Sequence, residues 1–271
     1  MEKEMQRRSK EKTREPGLRA ETRKDSQPGP CPGIRKRKTV RPGYLSQTVR
    51  ADERRMEFDC KNETVVQKNW DVDLVFIGDS ITQMWELPVY FGEYHLRILN
   101  RGIGGDRTCS LLHRFYADAV QLRPKAVVLM AGINDSWDLE FDYWKQEEGK
   151  TLETVLKEAL FNMEQILQMA EREGIAVVLC SILPTCMEWT NHEKERQEYV
   201  RLYNAGLKKL SQKYNMEFAD YYLAFTAEDG RSLRKELSME GLHPNVLGYD
   251  KMAEILKSTV EFWRFSEIKE K

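Results

Sequence analysis

The strongest constraint on this chain is a series of short apolar runs, each about one strand long, that end in clusters of Gly, Ser and Asn. The first, 73–77, leads into Gly78-Asp79-Ser80. A weaker one, 96–99, leads into Asn100-Arg101-Gly102-Ile103-Gly104-Gly105-Asp106. A third, 126–130, leads into Ala131-Gly132-Ile133-Asn134-Asp135. A fourth, 175–179, is entered through Gly174, a helix C-cap by its position, and 216–219 is the weakest candidate. Between them, Leu152, Val155, Leu156, Ala159, Leu160, Met163, Ile166, Leu167 and Ala170 recur at helical spacing, and 246–263 closes the chain with a similar pattern. Apolar strands joined by helical crossovers predict an α/β fold with a parallel sheet covered on both faces. Ligands in such folds sit beyond the carboxyl ends of the strands. The three polar clusters therefore belong to one place in space, although they are far apart in sequence.

Charge separates the chain into two unlike parts. The 43 Lys and Arg nearly balance the 44 Asp and Glu. Residues 1–50 hold 15 basic and 6 acidic residues, and the other 221 hold 28 and 38. The first 45 residues carry few large apolar side chains and a Pro/Gly cluster at 28–33, too little to offset the entropy of ordering them. They are predicted to be a disordered basic extension, followed by a lead-in over 46–69, one domain over 70–265 and a short tail over 266–271. The basic run 33–38 is the only candidate for nucleic-acid contact, and a solvated tail explains it as well; the domain itself is expected to bind none. No window approaches the ~18 apolar residues of a membrane span, and residues 1–15 lack the apolar stretch of an export signal. With five cysteines and no disulfide pattern, the expectation is reduced thiols and a cytoplasmic location.

The converging residues suit acyl transfer. A serine at a strand-to-helix turn, Ser80, exposes its hydroxyl and its backbone N–H. A glycine after the next strand lets a second N–H approach closely, and the Asn134 amide adds a third donor for a developing oxyanion. The missing base is supplied by Glu240-Gly241-Leu242-His243-Pro244-Asn245, with a carboxylate three residues before an imidazole. Gly102 to Arg107 lacks the third glycine of a dinucleotide loop, and Cys180 and Cys186 have no partners at zinc spacing, so neither cofactor nor metal is expected.

Taken together, Gly78-Asp79-Ser80-Ile81, Gly104-Gly105-Asp106, Gly132-Ile133-Asn134-Asp135 and Gly241-Leu242-His243-Pro244-Asn245 resemble the four blocks of the SGNH (GDSL-type) hydrolases. The resemblance implies a flavodoxin-like three-layer α/β/α sandwich around a five-stranded parallel sheet. It implies Ser80 as nucleophile, His243 as general base, and Ser80, Gly105 and Asn134 as oxyanion donors, with Gly105 preferred to Gly104 because it precedes Asp106. Two departures stand out: Ile81 replaces the usual Leu, and Glu240 replaces the usual Asp. Glu serves as triad acid in other serine hydrolases. Either Glu240 orients His243, or a backbone carbonyl does so and Glu240 faces solvent. Substrate contacts are expected from Asp79, Trp137 and Trp189; the tryptophans could equally pack against the helix over 151–173. The expected activity is hydrolysis of small acyl esters, acetyl foremost, of a carbohydrate-like or other small alcohol. A lysophospholipase, a thioesterase and a non-catalytic binding module are the alternatives.

Overall fold

The computed structural model describes residues 39–41, 49–142 and 146–266. The predicted basic extension, apart from Thr39, Val40 and Arg41, lies outside the described residues, as do Tyr143, Trp144 and residues 267–271. In chain order the elements are α1 (Val49–Gln67), β1 (Leu74–Gly78), α2 (Ser80–Gln83), α3 (Leu87–Phe91), β2 (Ile98–Gly102), α4 (Thr108–Asp118) and β3 (Ala126–Met130). They continue with α5 (Leu152–Arg172), β4 (Ala176–Cys180), α6 (Glu193–Lys213), β5 (Glu217–Ala219), α7 (Tyr222–Phe225) and α8 (Val246–Thr259).

The five strands form one parallel sheet in the order β2-β1-β3-β4-β5. Right-handed crossovers then fix the layers. The step from β1 to β2 runs one way along the sheet, and the steps from β2 to β5 run the other. Accordingly α4, α5 and α6 share one face, where α1 joins them against α4. On the opposite face α3 packs beside α8 and a closing 3₁₀ turn, through Phe91 on Phe262 and Trp85 on Tyr249. β1 and β3 are buried along their whole length, as a sheet covered on both sides requires.

Two expectations change. The second strand lies further along than 96–99, at Ile98–Gly102, because it is an edge strand whose polar Asn100 and Arg101 make hydrogen bonds. The lead-in over 46–69 is largely helix α1. Register brings the strand ends level: Gly78 pairs with Gly102 on one side and with Met130 on the other. Ser80, Gly105 and Asn134 come directly after those ends. Among the described residues, no helix is long and apolar enough to cross a membrane.

Candidate active site

Ser80 opens α2, whose N-cap is Asp79; the Asp79 carboxylate accepts a hydrogen bond from the Ile81 N–H at 2.9 Å. This turn directs the serine hydroxyl toward His243, with Ser80 Oγ 2.8 Å from His243 Nε2. On the other side of the ring, His243 Nδ1 is hydrogen-bonded to Glu240 Oε1. A tight turn makes this contact possible. Met239 N–H donates to His243 O at 2.9 Å, Gly241 N–H to Ser238 Oγ at 2.7 Å, and Cys186 N–H to Gly241 O at 2.8 Å. Gly241 has φ +91°, and a Cβ there would lie 2.1 Å from Cys186 O, so the turn tolerates no side chain at that position.

The second donor loop is a β-turn closed by Asp106 N–H on Ile103 O at 3.1 Å, with Gly105 in its third position at φ +78°. Gly104 N–H is taken by Gln83 Oε1 at 2.6 Å. Gly105 is exposed, with no atom within 4 Å of where a Cβ would stand. Of the two glycines, then, Gly105 presents the open face. Asn134 sits in a 3₁₀ turn and donates one amide hydrogen to Asp106 O at 3.0 Å, which leaves its other for a ligand. The backbone before it is held from α6 by Tyr199 OH on Gly132 O at 2.8 Å and Tyr203 OH on Ala131 O at 3.1 Å.

Three carboxyls at the site, those of Asp79, Asp106 and Asp135, carry raised pKa values, with burial the largest cause in each. Burial pushes Asp79 up to about 7, and the nearby Asp106 and Asp135 add to the effect. Burial likewise pushes Asp135 up to about 6, against hydrogen bonds from Thr108 N–H at 3.0 Å and Thr108 Oγ1 at 2.5 Å. Asp79 is 1% exposed, so its carboxyl is buried within the turn that it caps.

Trp137 and Trp189 are brought together, with ring centroids 5.9 Å apart, and the Arg196 guanidinium lies over Trp137 at 4.9 Å. Trp189 is 64% exposed and lines a depression of about 250 Å³ with Cys186, Glu188, Lys235, Met239 and Glu240. The sequence alone did not point to Gln83, whose Oε1 occupies the Gly104 N–H, or to Tyr249, whose hydroxyl donates to Ile81 O at 2.8 Å. Gln83 lies three residues after Ser80 in the same short helix, and that spacing was the available signal.

Comparison with known proteins identifies the family. The model of the GDSL-like Lipase/Acylhydrolase family matches residues 76–251. The chain is 24% identical over 202 residues to an acetylxylan esterase of Geobacillus stearothermophilus, covering 65% of this chain and 88% of that one. It is 31% identical over 199 residues to the human platelet-activating factor acetylhydrolase IB subunit alpha1, covering 70% and 76%. A GDSL-like lipase from Bacteroides thetaiotaomicron shares the fold with a TM-score of 0.63 at 24% identity, covering 76% of this chain and 96% of that one. The chain belongs to the GDSL-like lipase/acylhydrolase family and is a carboxylic ester hydrolase.

Proposed function

We propose that the protein is a serine esterase that removes small acyl groups, acetyl foremost, from a carbohydrate-like or other small alcohol. The observation that carries this reading is the 2.8 Å contact between Ser80 Oγ and His243 Nε2, with Glu240 on the other ring nitrogen. His243 Nε2 takes the hydroxyl proton as Ser80 Oγ attacks the ester carbonyl. Glu240 holds the Nδ1–H tautomer and stabilises the imidazolium that forms. The negative oxygen is received by the N–H groups of Ser80 and Gly105 and by the second amide hydrogen of Asn134. Collapse of the tetrahedral intermediate expels the alcohol, which takes the proton from His243. Water, activated by the same imidazole, then releases the acid and frees Ser80.

Acetyl is favoured because both relatives named above are described by removal of acetyl groups. A sugar-like alcohol is supported by the exposed Trp189 face beside Glu240. Two assays test the reading. Intact wild-type protein is expected to gain one adduct from a serine-reactive phosphonate, and Ser80→Ala none; an adduct that survives Ser80→Ala overturns the assignment. Acetate release is then compared across acetylated sugars, a lysophospholipid and an acyl-CoA. A long-chain enzyme would instead gain roughly 0.8 kcal/mol per buried CH₂ as the acyl chain grows.

A further inference from the structure

The proposed oxyanion donors come from three separate loops, and one buried side chain holds two of them directly and reaches the third through Asp106. Arg114, on α4, is 1% exposed. Its Nη2 donates to Gly78 O at 2.9 Å, the carbonyl that directly precedes Asp79 and Ser80. Its Nε donates to the Asp106 carboxylate at 2.7 Å, immediately after Gly105. The backbone oxygen of that same Asp106 accepts the Asn134 amide. Its Nη1 donates to Arg101 O at 2.9 Å, at the end of β2, and to Asp118 at 3.0 Å. A planar guanidinium with five N–H donors can hold such divergent acceptors at once; a lysine ammonium is a single point of charge.

Arg114 is itself anchored from α1, which precedes the segment matched by the family model. Asp118, fully buried, accepts from Asn62 Nδ2 at 2.7 Å and pairs with Arg55, which also pairs with Asp59. Asn62 Oδ1 accepts from Arg101 Nε at 3.0 Å. Three guanidiniums (Arg55, Arg101 and Arg114) thus meet three carboxylates (Asp59, Asp106 and Asp118) in one buried network. Arg55 Nε alone of the Arg55 guanidinium nitrogens has no partner; buried ion pairs of this kind fix geometry more than they add stability.

We propose that Arg114 is the positioning residue of the oxyanion hole and that α1 is the anchor that holds it in place. This rests on the serine-esterase reading above. Arg114 touches no substrate; it sets where the N–H groups of Ser80 and Gly105 and the amide of Asn134 point. Its loss therefore acts on the transition state, where the charge develops, and leaves ground-state binding almost unchanged.

The test uses the full-length protein, kept well below its unfolding midpoint and checked for folding by circular dichroism. It compares wild type with Arg114→Lys and with Asn62→Ala, which removes the carboxamide link between α1 and Asp118 without changing any charge. Ester hydrolysis gives kcat and KM, and an arylboronic acid, whose serine adduct is tetrahedral, gives an inhibition constant. Removal of an oxyanion donor costs about 10²–10³ in kcat. A displaced set is expected to cost less, roughly 10- to 100-fold for Arg114→Lys and at least about threefold for Asn62→Ala. KM should stay within about twofold, and the boronic acid should weaken in step with kcat. A purely structural role would lower the unfolding midpoint and leave kcat and boronic-acid affinity at wild-type values. Should Arg114→Lys fail to fold, Asn62→Ala decides. Folded variants with unchanged kcat, beside a wild type that the phosphonate labels at Ser80, overturn this inference alone. A wild type that takes no label overturns the esterase reading and this one with it.

Discussion

Glu240 reaches His243 although its side chain is one methylene longer than the family's usual Asp, because the Gly241 turn places both residues against the loop after β4. The carboxylate is partly exposed, and in the proposed mechanism its task is to hold the Nδ1–H tautomer. Glu240→Ala is expected to lower kcat by about 10²–10⁴-fold and Glu240→Asp by less than about tenfold. Equal, small losses in both would move the orienting role to another group. Asp79 makes a different prediction, in stability. Burial raises its folded pKa to about 7, above the unfolded value near 3.8. Below pH ~4 both states are protonated and there is no cost. Between pH ~4 and ~7 the unfolded chain releases the proton that the folded one keeps, so stability falls as pH rises, and above pH ~7 the full cost is present. Asp79→Asn keeps the acceptor for the Ile81 N–H and cannot ionise. At pH 8 it should be more stable than wild type by on the order of a few kcal/mol, and so unfold at a higher temperature, with the gain shrinking toward zero near pH 4. Thermal midpoints from pH 4 to 8 check this; parallel curves would mean that Asp79 ionises in the fold as it does in water.

At the scale of elements, the short helix α2 is wedged against the end of β2. A Cβ at Gly102 would lie 2.2 Å from Gln83 N and 2.6 Å from Gln83 Cα, both backbone atoms that cannot swing aside. Gly102→Ala must therefore shift the helix that carries Ser80. The expected result is a loss of about 1–3 kcal/mol in chemical denaturation together with a clear fall in kcat. Gly174→Ala is the contrasting case. Gly174 lies just past α5 at φ +67° with open space around it, so strain there should cost about 1–2 kcal/mol and leave kcat untouched. That cap was legible in the sequence, as were β1, β3 and β4, because strands buried on both faces read as unbroken apolar runs. That Ser80, Gly105 and Asn134 share one edge was legible for a related reason: a parallel sheet gathers the residues just past its strand ends; His243, well past β5 and just before α8, was read from its own motif instead. α1 was not. Its inward stripe is Arg55, Phe58, Asp59, Asn62 and Val66, with helical spacing but mostly polar chemistry, so no apolar period appears. Arg114 was hidden likewise, since its acceptors include backbone oxygens 13 and 36 residues away.

For the whole molecule, the near balance of charge conceals where the chain can be shortened. Ahead of α1, the described residues make only peripheral contacts. Val40 exchanges two hydrogen bonds with the Gln121 side chain, and Arg41 pairs with the exposed Glu63. Hydrogen bonds of this kind contribute about 1 kcal/mol each and exposed ion pairs less, so a chain beginning at residue 46 should keep kcat and lose only a few degrees in its thermal midpoint. A chain beginning at residue 68 is a different matter. It loses Arg55, Asp59 and Asn62 from the buried network and uncovers Asp118, which is fully buried in the intact fold. Breaking a buried pair by removing one partner costs about 3–5 kcal/mol, and exposing the apolar surface under Phe58 adds to that. Against a total stability of about 5–15 kcal/mol, the shorter chain should be largely unfolded at 25 °C. Thermal midpoints and kcat of the two truncations, measured side by side, decide between α1 as integral and α1 as appended. A chain starting at residue 68 that melts near wild type and hydrolyses at the same rate would show that the charges of α4 are satisfied without the helix before it.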